Sequence, residues 1–156
     1  IFFYQPPPPT QILSGLVGSE MCIRDRAYKI ELDVNPSPWK YETFLSSFEV
    51  GHKGLICKKD NLMIGFIIFS PISPEAHILS ISVRNEMQSK GIGTLLLKSM
   101  LDQCKVMNYK KIFLEERVSN EKAINFYEKF GFSKDAIRNN YYTDNSEDAL
   151  LMSLSI

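Results

Sequence analysis

Histidine and cysteine are scarce in this chain, and neither is spaced to build a site. There are two histidines and three cysteines in 156 residues. Cys22, Cys57 and Cys104 stand far apart with no CxxC pair, which leaves no disulfide framework and no zinc knuckle. No metal is therefore expected. Eighteen basic residues balance eighteen acidic ones, which removes any bulk electrostatic case for a nucleic acid or a membrane surface as partner. No apolar run approaches the roughly 20 residues that span a bilayer. The expected compartment is a reducing cytoplasm.

What is present suits one compact domain. Hydrophobic residues make up 44% and charged residues 23%, an ordinary balance for a chain with a single sizeable core. The first 26 residues stand apart from the rest. Four consecutive prolines, Pro6 to Pro9, cannot continue a helix or a central strand. The stretch Leu16 to Arg26 reads as the translation of a transposase-type sequencing adaptor. Residues 1–26 are therefore expected to be a non-native or disordered extension, and 27–156 the working domain.

Within 27–156 the pattern changes several times. Ala27 to Val34 reads as a short amphipathic helix broken by Asn35-Pro36-Ser37-Pro38. Ser37 as N-cap and Pro38 at the first helical position predict a second helix over about 38–48. Leu55 to Cys57 and Leu62 to Phe69, joined by a Lys-Asp-Asn turn, predict a hairpin that Pro71 and Pro74 end. His77 to Val83 reads as a strand. From Gly91 the period becomes 3.6, with Ile92, Leu95, Leu96, Met100 and Leu101 on one helix face ending near Met107 and Asn108. A strand over 111–117 and a helix over 120–130 follow, with Gly131 as its C′ residue. Strands close the chain at about 132–138 and 147–155. The order predicts a mixed α/β sheet flanked by helices, neither a bundle nor a sandwich.

Between the strand ending at Val83 and the helix after Gly91 lies Gln88-Ser89-Lys90-Gly91-Ile92-Gly93-Thr94. Amides at a helix N-terminus lack internal partners and carry partial positive charge, so a diphosphate binds there readily. Gly91 and Gly93 let the backbone approach such a group, and Lys90 adds a charge. Alone, this pattern is weak, since a helix-start glycine is common. It is not a Walker loop, because no GK[ST] follows, and Leu96 stands where a dinucleotide fingerprint needs a third small residue.

The combination is far more specific. Gln88 to Gly93, then Ser119-Asn120, then Ala123-Ile124-Asn125-Phe126-Tyr127 through Gly131-Phe132, resembles the GCN5-related N-acetyltransferase (GNAT) superfamily. The tail Ile137-Arg138-Asn139-Asn140-Tyr141-Tyr142, with Glu147-Asp148-Ala149 and an apolar strand, resembles its ribosomal-protein-alanine N-acetyltransferase branch. So does Pro38-Trp39. The resemblance covers about 27–156 and implies the GNAT fold, a mixed, mostly antiparallel sheet with splayed central strands; the family's first strand is expected to be missing. Ser89, where relatives carry Arg, and acidic Glu116, where an apolar residue is common, depart from the pattern.

The resemblance implies direct transfer from acetyl-CoA to an amine, and no Cys–His or Ser–His–Asp nucleophile system argues otherwise. It assigns Glu115 as general base and Tyr127 as general acid. It assigns Ile81, Ser82 and Val83, through their backbone groups, with Ser89, Lys90, Gly91, Ile92, Gly93, Thr94 and Asn120, to the cofactor. Tyr141 and Trp39 are expected at the acceptor, with Tyr141 and Tyr142 in the loop joining the last strands. Each has a plainer reading: Glu115 as a solvated strand-end carboxylate, Asn120 as an N-cap, Tyr127 and Trp39 as packing aromatics. Strand alternation lets only one of Glu115 and Glu116 face the cleft. The acceptor that the resemblance implies is the N-terminal amine of a protein, the N-terminal alanine of a small-subunit ribosomal protein; an α-amine near pKa 8 also deprotonates more easily than a lysine near 10.4. The alternatives are a small-molecule amine as acceptor, or a coenzyme A-binding regulatory module without turnover.

Overall fold

The changes of period resolve, in the computed structural model, into four α-helices and seven strands among the described residues, 11–14 and 21–156. They are β1 (Gln11–Ser14), α1 (Met21–Val34), α2 (Tyr41–Glu49), β2 (Lys53–Lys59), β3 (Leu62–Ile72), β4 (Glu75–Val83), α3 (Ile92–Val106), β5 (Lys111–Arg117), α4 (Glu121–Lys129), β6 (Ser133–Tyr142) and β7 (Glu147–Ser155). The hydrogen-bonded strand order is β1-β2-β3-β4-β5-β7-β6. β4 and β5 run parallel, while β1–β2, β5–β7 and β6–β7 are antiparallel. This is the mixed α/β architecture expected from the sequence, except that a strand precedes α1 where none was expected: β1 pairs with β2 from Gln11↔Lys58 to Ser14↔Leu55.

Several boundaries differ from expectation. α1 starts at Met21 rather than Ala27, inside the stretch set aside as an extension. Its first turns make specific contacts: the Arg24 guanidinium lies 5.0 Å from the Phe48 ring centroid, and Asp25 accepts a 2.7 Å hydrogen bond from the Tyr41 hydroxyl. α2 starts at Tyr41, not Pro38, and its N-cap position, Lys40, gives no side-chain cap. Upstream, Ser37 donates its amide to Asn35 Oδ1 at 3.0 Å, forming a local Asx-type turn. β3 runs through Pro71 to Ile72, so the first proline does not end it. β6 extends to Tyr142, which pairs with Glu147. Tyr141 and Tyr142 are thus strand residues, not loop residues.

The chain falls into two compact units. The first takes the chain up to Ile68 together with Ser80–Met100. Its core is organised by Phe44, fully buried, whose ring meets Tyr28, Trp39, Phe48 and Phe66 at centroid distances of 5.3 to 6.3 Å. These tilted and edge-on contacts, each worth about 0.5–1.5 kcal/mol beyond burial, fix α1 and α2 on β3. Trp39 is held in this cluster. Gly65 of β3 allows the next strand to come close, since a Cβ there would stand 2.9 Å from the Ser82 carbonyl oxygen.

The second unit takes Phe69–Leu79 and Leu101–Ile156. Ile112 and Leu114 of β5 are buried, as are Ile124 and Tyr127 of α4, Phe132, and Ala149, Leu150 and Met152 of β7. The parallel register of β4 with β5 runs from Glu75↔Lys111 to Ile78↔Leu114. On its other side β5 stays paired with β7 through Arg117↔Ala149. Asn120 caps α4 by accepting from the Ala123 amide at 3.2 Å, and Gly131 follows at φ 92 as the left-handed C′ residue.

Candidate active site

In the first unit, β4 leads through a short 3-10 turn, Asn85–Met87, into the segment before α3. The chain is pinned on the way. Arg84 donates its amide to the Ile64 carbonyl at 3.0 Å and its Nε to the Met63 carbonyl at 2.7 Å, and Gln88 Nε2 donates to the Val83 carbonyl at 3.2 Å. Ser89 at φ 58 and Gly91 at φ 80 are both left-handed, which turns the backbone sharply into the helix. The first intrahelical bond shown here is from the Leu95 amide to the Gly91 carbonyl at 3.0 Å. The amides of Gly91, Ile92, Gly93 and Thr94 precede that bond, as the first-turn donors of a helix do. Nothing lies within 4 Å of where a Cβ on Gly91 would stand, so the backbone is open to close approach. An exposed, amide-bearing turn with that opening fits a diphosphate. Lys90 donates Nζ to the Glu86 carbonyl at 2.8 Å, which keeps its charge beside the turn.

β4 is anchored from behind by a residue the sequence reading passed over. Glu31 of α1 is fully buried, and its carboxylate accepts from Ser80 Oγ at 3.1 Å, Ser82 Oγ at 2.9 Å and Asn35 Nδ2 at 2.7 Å. A buried carboxylate is tolerable only when its lone pairs are satisfied. Three donors do that here and hold the Ser80–Val83 stretch by its side chains. The only local signal was a carboxylate on the apolar side of an amphipathic helix.

In the second unit, β5 separates Glu115 and Glu116 by alternation. Glu115 Oε1 pairs with Arg138 Nη1 at 3.0 Å. Glu116 turns to the start of α4, where its Oε1 accepts from the Arg117 amide at 3.0 Å and Asn120 Nδ2 at 3.2 Å. Burial raises the Glu116 carboxyl above its ordinary 4.5, against the pull of those two hydrogen bonds. Tyr127 is 3% exposed, and burial, reinforced by the Glu116 and Tyr142 charges, pushes its phenol well above 10. The Tyr127 hydroxyl therefore stays protonated throughout the neutral range. Its electrostatic neighbour is Glu116 rather than Glu115. Asn120, seven residues earlier, is the exposed N-cap, and both ends of its amide are in use.

Beyond Glu116, Arg117 binds the β6–β7 turn with Asp144, Asn145 and Glu147 and lies 3.9 Å from the Tyr142 ring centroid. Tyr141, 43% exposed, stands edge-on to Tyr142 at 5.2 Å. Nothing local in the sequence ties Arg117 to the acidic residues of this turn.

Among the described residues no helix is long and apolar enough to cross a membrane, and no group of three or more metal-ligating side chains gathers. The chain matches the family model of the acetyltransferase (GNAT) family over residues 24–132. It is 35% identical over 132 residues to the [ribosomal protein bS18]-alanine N-acetyltransferase of Escherichia coli K12, covering 83% of this chain and 89% of that protein. It is 35% identical over 142 residues to an N-alpha-acetyltransferase of Saccharolobus solfataricus, covering 82% and 84%. The crystal structure of the Escherichia coli ribosomal-protein-S18-alanine N-acetyltransferase superposes with a TM-score of 0.86 at 33% identity, over 95% of this chain and 94% of the other. The chain therefore belongs to the acetyltransferase (GNAT) family and is an acetyl-CoA-dependent N-acetyltransferase.

Proposed function

We propose that this enzyme acetylates the N-terminal α-amine of a protein, with the N-terminal alanine of ribosomal protein bS18 as its acceptor, in the cytoplasm. The observation that carries this reading is the 35% identity, over 83% of the chain, to a protein named for that acceptor. The working domain is placed at residues 27–156 and residues 1–26 are read as an extension, which resequencing the source gene tests.

Acetyl-CoA supplies the acetyl group as an activated thioester. The amides of Ser89 to Thr94 would hold its diphosphate, and the backbone groups of Ile81, Ser82 and Val83, on the strand braced by Glu31, would hold its extended arm in the manner of an added strand. Asn120 is assigned to the same cofactor through the second N–H of its Nδ2, the first being held by Glu116.

Glu115 is assigned the proton of the acceptor ammonium. Its pairing with Arg138 supports a carboxylate held in place, with Oε2 as the oxygen outside that contact. Tyr127 is assigned the proton delivered to the departing sulfur, and holds it at Oη. Burial raises this phenol above its ordinary value, so in the closed site Tyr127 acts first as a hydrogen-bond donor to the sulfur as charge develops on it. Tyr141 and Trp39 are assigned to the acceptor peptide. Tyr141 is the more exposed and adaptable of the two, because Trp39 is packed edge-on against Phe44.

Mass spectrometry of an alanine-initiated bS18 peptide, incubated with this enzyme and acetyl-CoA, tests the reading. One added acetyl group at the N-terminus is expected. Acetylation of polyamines or aminoglycosides with none on the peptide would overturn it in favour of a small-molecule acceptor.

A further inference from the structure

We infer that Arg117 is a positioning residue for acceptor recognition: its guanidinium sets where the β6–β7 turn and the two tyrosines beside it stand. The inference rests on the proposed peptide acceptor and extends it to a residue outside the assigned catalytic pair.

The ladder alone does not place this turn. β6 and β7 lose register twice, between Lys134 and Ala136 and again, next to the turn, between Arg138↔Ala149 and Tyr142↔Glu147. Asn140 and Ser146, on either side of the turn, are both left-handed, at φ 52 and 58. A hairpin end with an irregular ladder has several positions of similar energy, so something else must choose one.

Arg117 supplies that choice from the last residue of β5. Nη2 meets both carboxylate oxygens of Asp144 at 2.9 Å, while Nη1 donates to Asn145 Oδ1 and Glu147 Oε2 at 3.0 Å each. The guanidinium plane covers the Tyr142 ring at 3.9 Å. Glu147 carries the tie onward, because its other oxygen, Oε1, accepts the Ser119 amide at 3.0 Å. Asp148 adds a brace by accepting the Asn140 amide at 2.8 Å. The planar fork and the stacked face are both in use, and lysine offers neither.

The consequence is an asymmetry between the tyrosines. The Tyr142 ring has the Arg117 guanidinium at 3.9 Å, whereas Tyr141, 43% exposed, has the Arg138 guanidinium only at 5.7 Å and is the outward-facing aromatic of the pair. Glu115 and Arg117 are two residues apart on β5, so one rigid strand carries both the assigned base and the residue that fixes the acceptor-side turn. Small shifts of such a turn are read as weaker acceptor binding rather than altered cofactor binding.

Steady-state kinetics of Arg117→Gln and Asp144→Asn test this, with Arg117→Lys as the charge-keeping comparison. The expected result is a KM for the acceptor peptide raised about tenfold in Arg117→Gln, with the acetyl-CoA KM changed by less than about twofold. Arg117→Lys should recover little of the loss, because one ammonium cannot span Asp144 and Glu147 together. Asp144→Asn, the gentler change, should move the peptide KM in the same direction. A peptide KM unchanged in both Arg117→Gln and Asp144→Asn, or both KM values rising together with a lowered Tm, would overturn the inference. If the unaltered enzyme acetylates no peptide, the proposed function fails on its own account. Amide exchange then still reads the positioning: Arg117→Gln must speed exchange across 142–147 by about tenfold or more and leave 150–154 unchanged, and equal protection in both proteins sinks it.

Discussion

Glu115 and Glu116 are adjacent on β5 yet occupy opposed electrostatic settings: the first meets the Arg138 guanidinium at 3.0 Å, and the second turns to the start of α4 and shares a field with the Tyr127 phenol. Alternation along the strand makes the separation unavoidable. It also makes the two carboxylates separable by experiment, since one is assigned to the reaction and the other bears on folding.

Glu115→Gln keeps the size of the side chain and removes its basicity. A kcat lower by about 10²–10⁴-fold is expected, with the acetyl-CoA KM within about twofold of the original. Full activity in this variant, measured with the alanine-initiated peptide, would remove Glu115 from the mechanism. Glu116→Gln assayed in parallel should retain most of the turnover.

For Glu116 the expected readout is stability. Its folded-state carboxyl lies above the ordinary 4.5 because burial penalises the charge. The folded state therefore binds that proton more tightly than the unfolded chain. Stability from this group is greatest below 4.5 and is lost as pH rises through the raised folded value. A glutamine retains an acceptor oxygen for the Arg117 amide and Asn120, and has no charge to bury. Glu116→Gln should therefore melt higher than the parent at pH 7, with the difference shrinking toward pH 4. A lower Tm at neutral pH would contradict this account.

Glu147 behaves in the opposite sense. Hydrogen bonds from Ser119, then the Arg117 guanidinium, hold its carboxyl down to about 2 from an ordinary 4.5. Its contribution to stability is present above 4.5 and is lost as pH falls from there toward about 2. Thermal melts of Glu147→Gln should lie below the parent at pH 7 and converge with it on acidification. Parallel curves across that range would mean the pairing adds no pH-dependent stability.

Gly65 shows what packing demands where no turn requires a glycine. A Cβ there stands 2.9 Å from the backbone oxygen of Ser82 and 3.3 Å from side-chain carbons of Leu96 and Val83. Backbone cannot rotate away, so Gly65→Ala should cost about 1–3 kcal/mol, seen as a lower denaturation midpoint. It should also disturb the Ser82 stretch assigned to the cofactor, weakening coenzyme A binding. An unchanged midpoint would show that β4 can yield.

The fold was legible where the determinants are local. The strand at Lys111–Arg117 matches its expected bounds, and α3 and α4 fall within a residue or two of theirs, because periodicity, the Asn120 cap and the Gly131 stop all lie in the same short stretch. Expectation failed at the start of α2: Ser37 has the type of an N-cap, yet the helix begins only at Tyr41, after a local turn in which the Ser37 amide bonds Asn35. Of the candidate site, the glycine turn and Tyr127 are proposed from spacing and resemblance. Glu31 with Ser82, 51 positions apart, and Arg117 with Asp144, 27 apart, could not be. Such pairs exist only once the strands are in register, and one sequence holds no trace of that register.

Gly91 separates a conformational requirement from a binding one. It adopts φ 80, and nothing stands within 4 Å of a Cβ placed on it. Gly51 offers a matched control in the same unit, with φ 93 and equally open surroundings. Alanine at either position pays the left-handed cost of about 1–2 kcal/mol, so both variants should melt about 3–6 °C lower. Only Gly91→Ala places a methyl group where the diphosphate is assigned. Calorimetric titration with coenzyme A should therefore show affinity reduced about tenfold or more for Gly91→Ala, and unchanged for Gly51→Ala. Equal affinities for the two variants would move the diphosphate away from this turn, and the assignment of its amides to the cofactor would go with it.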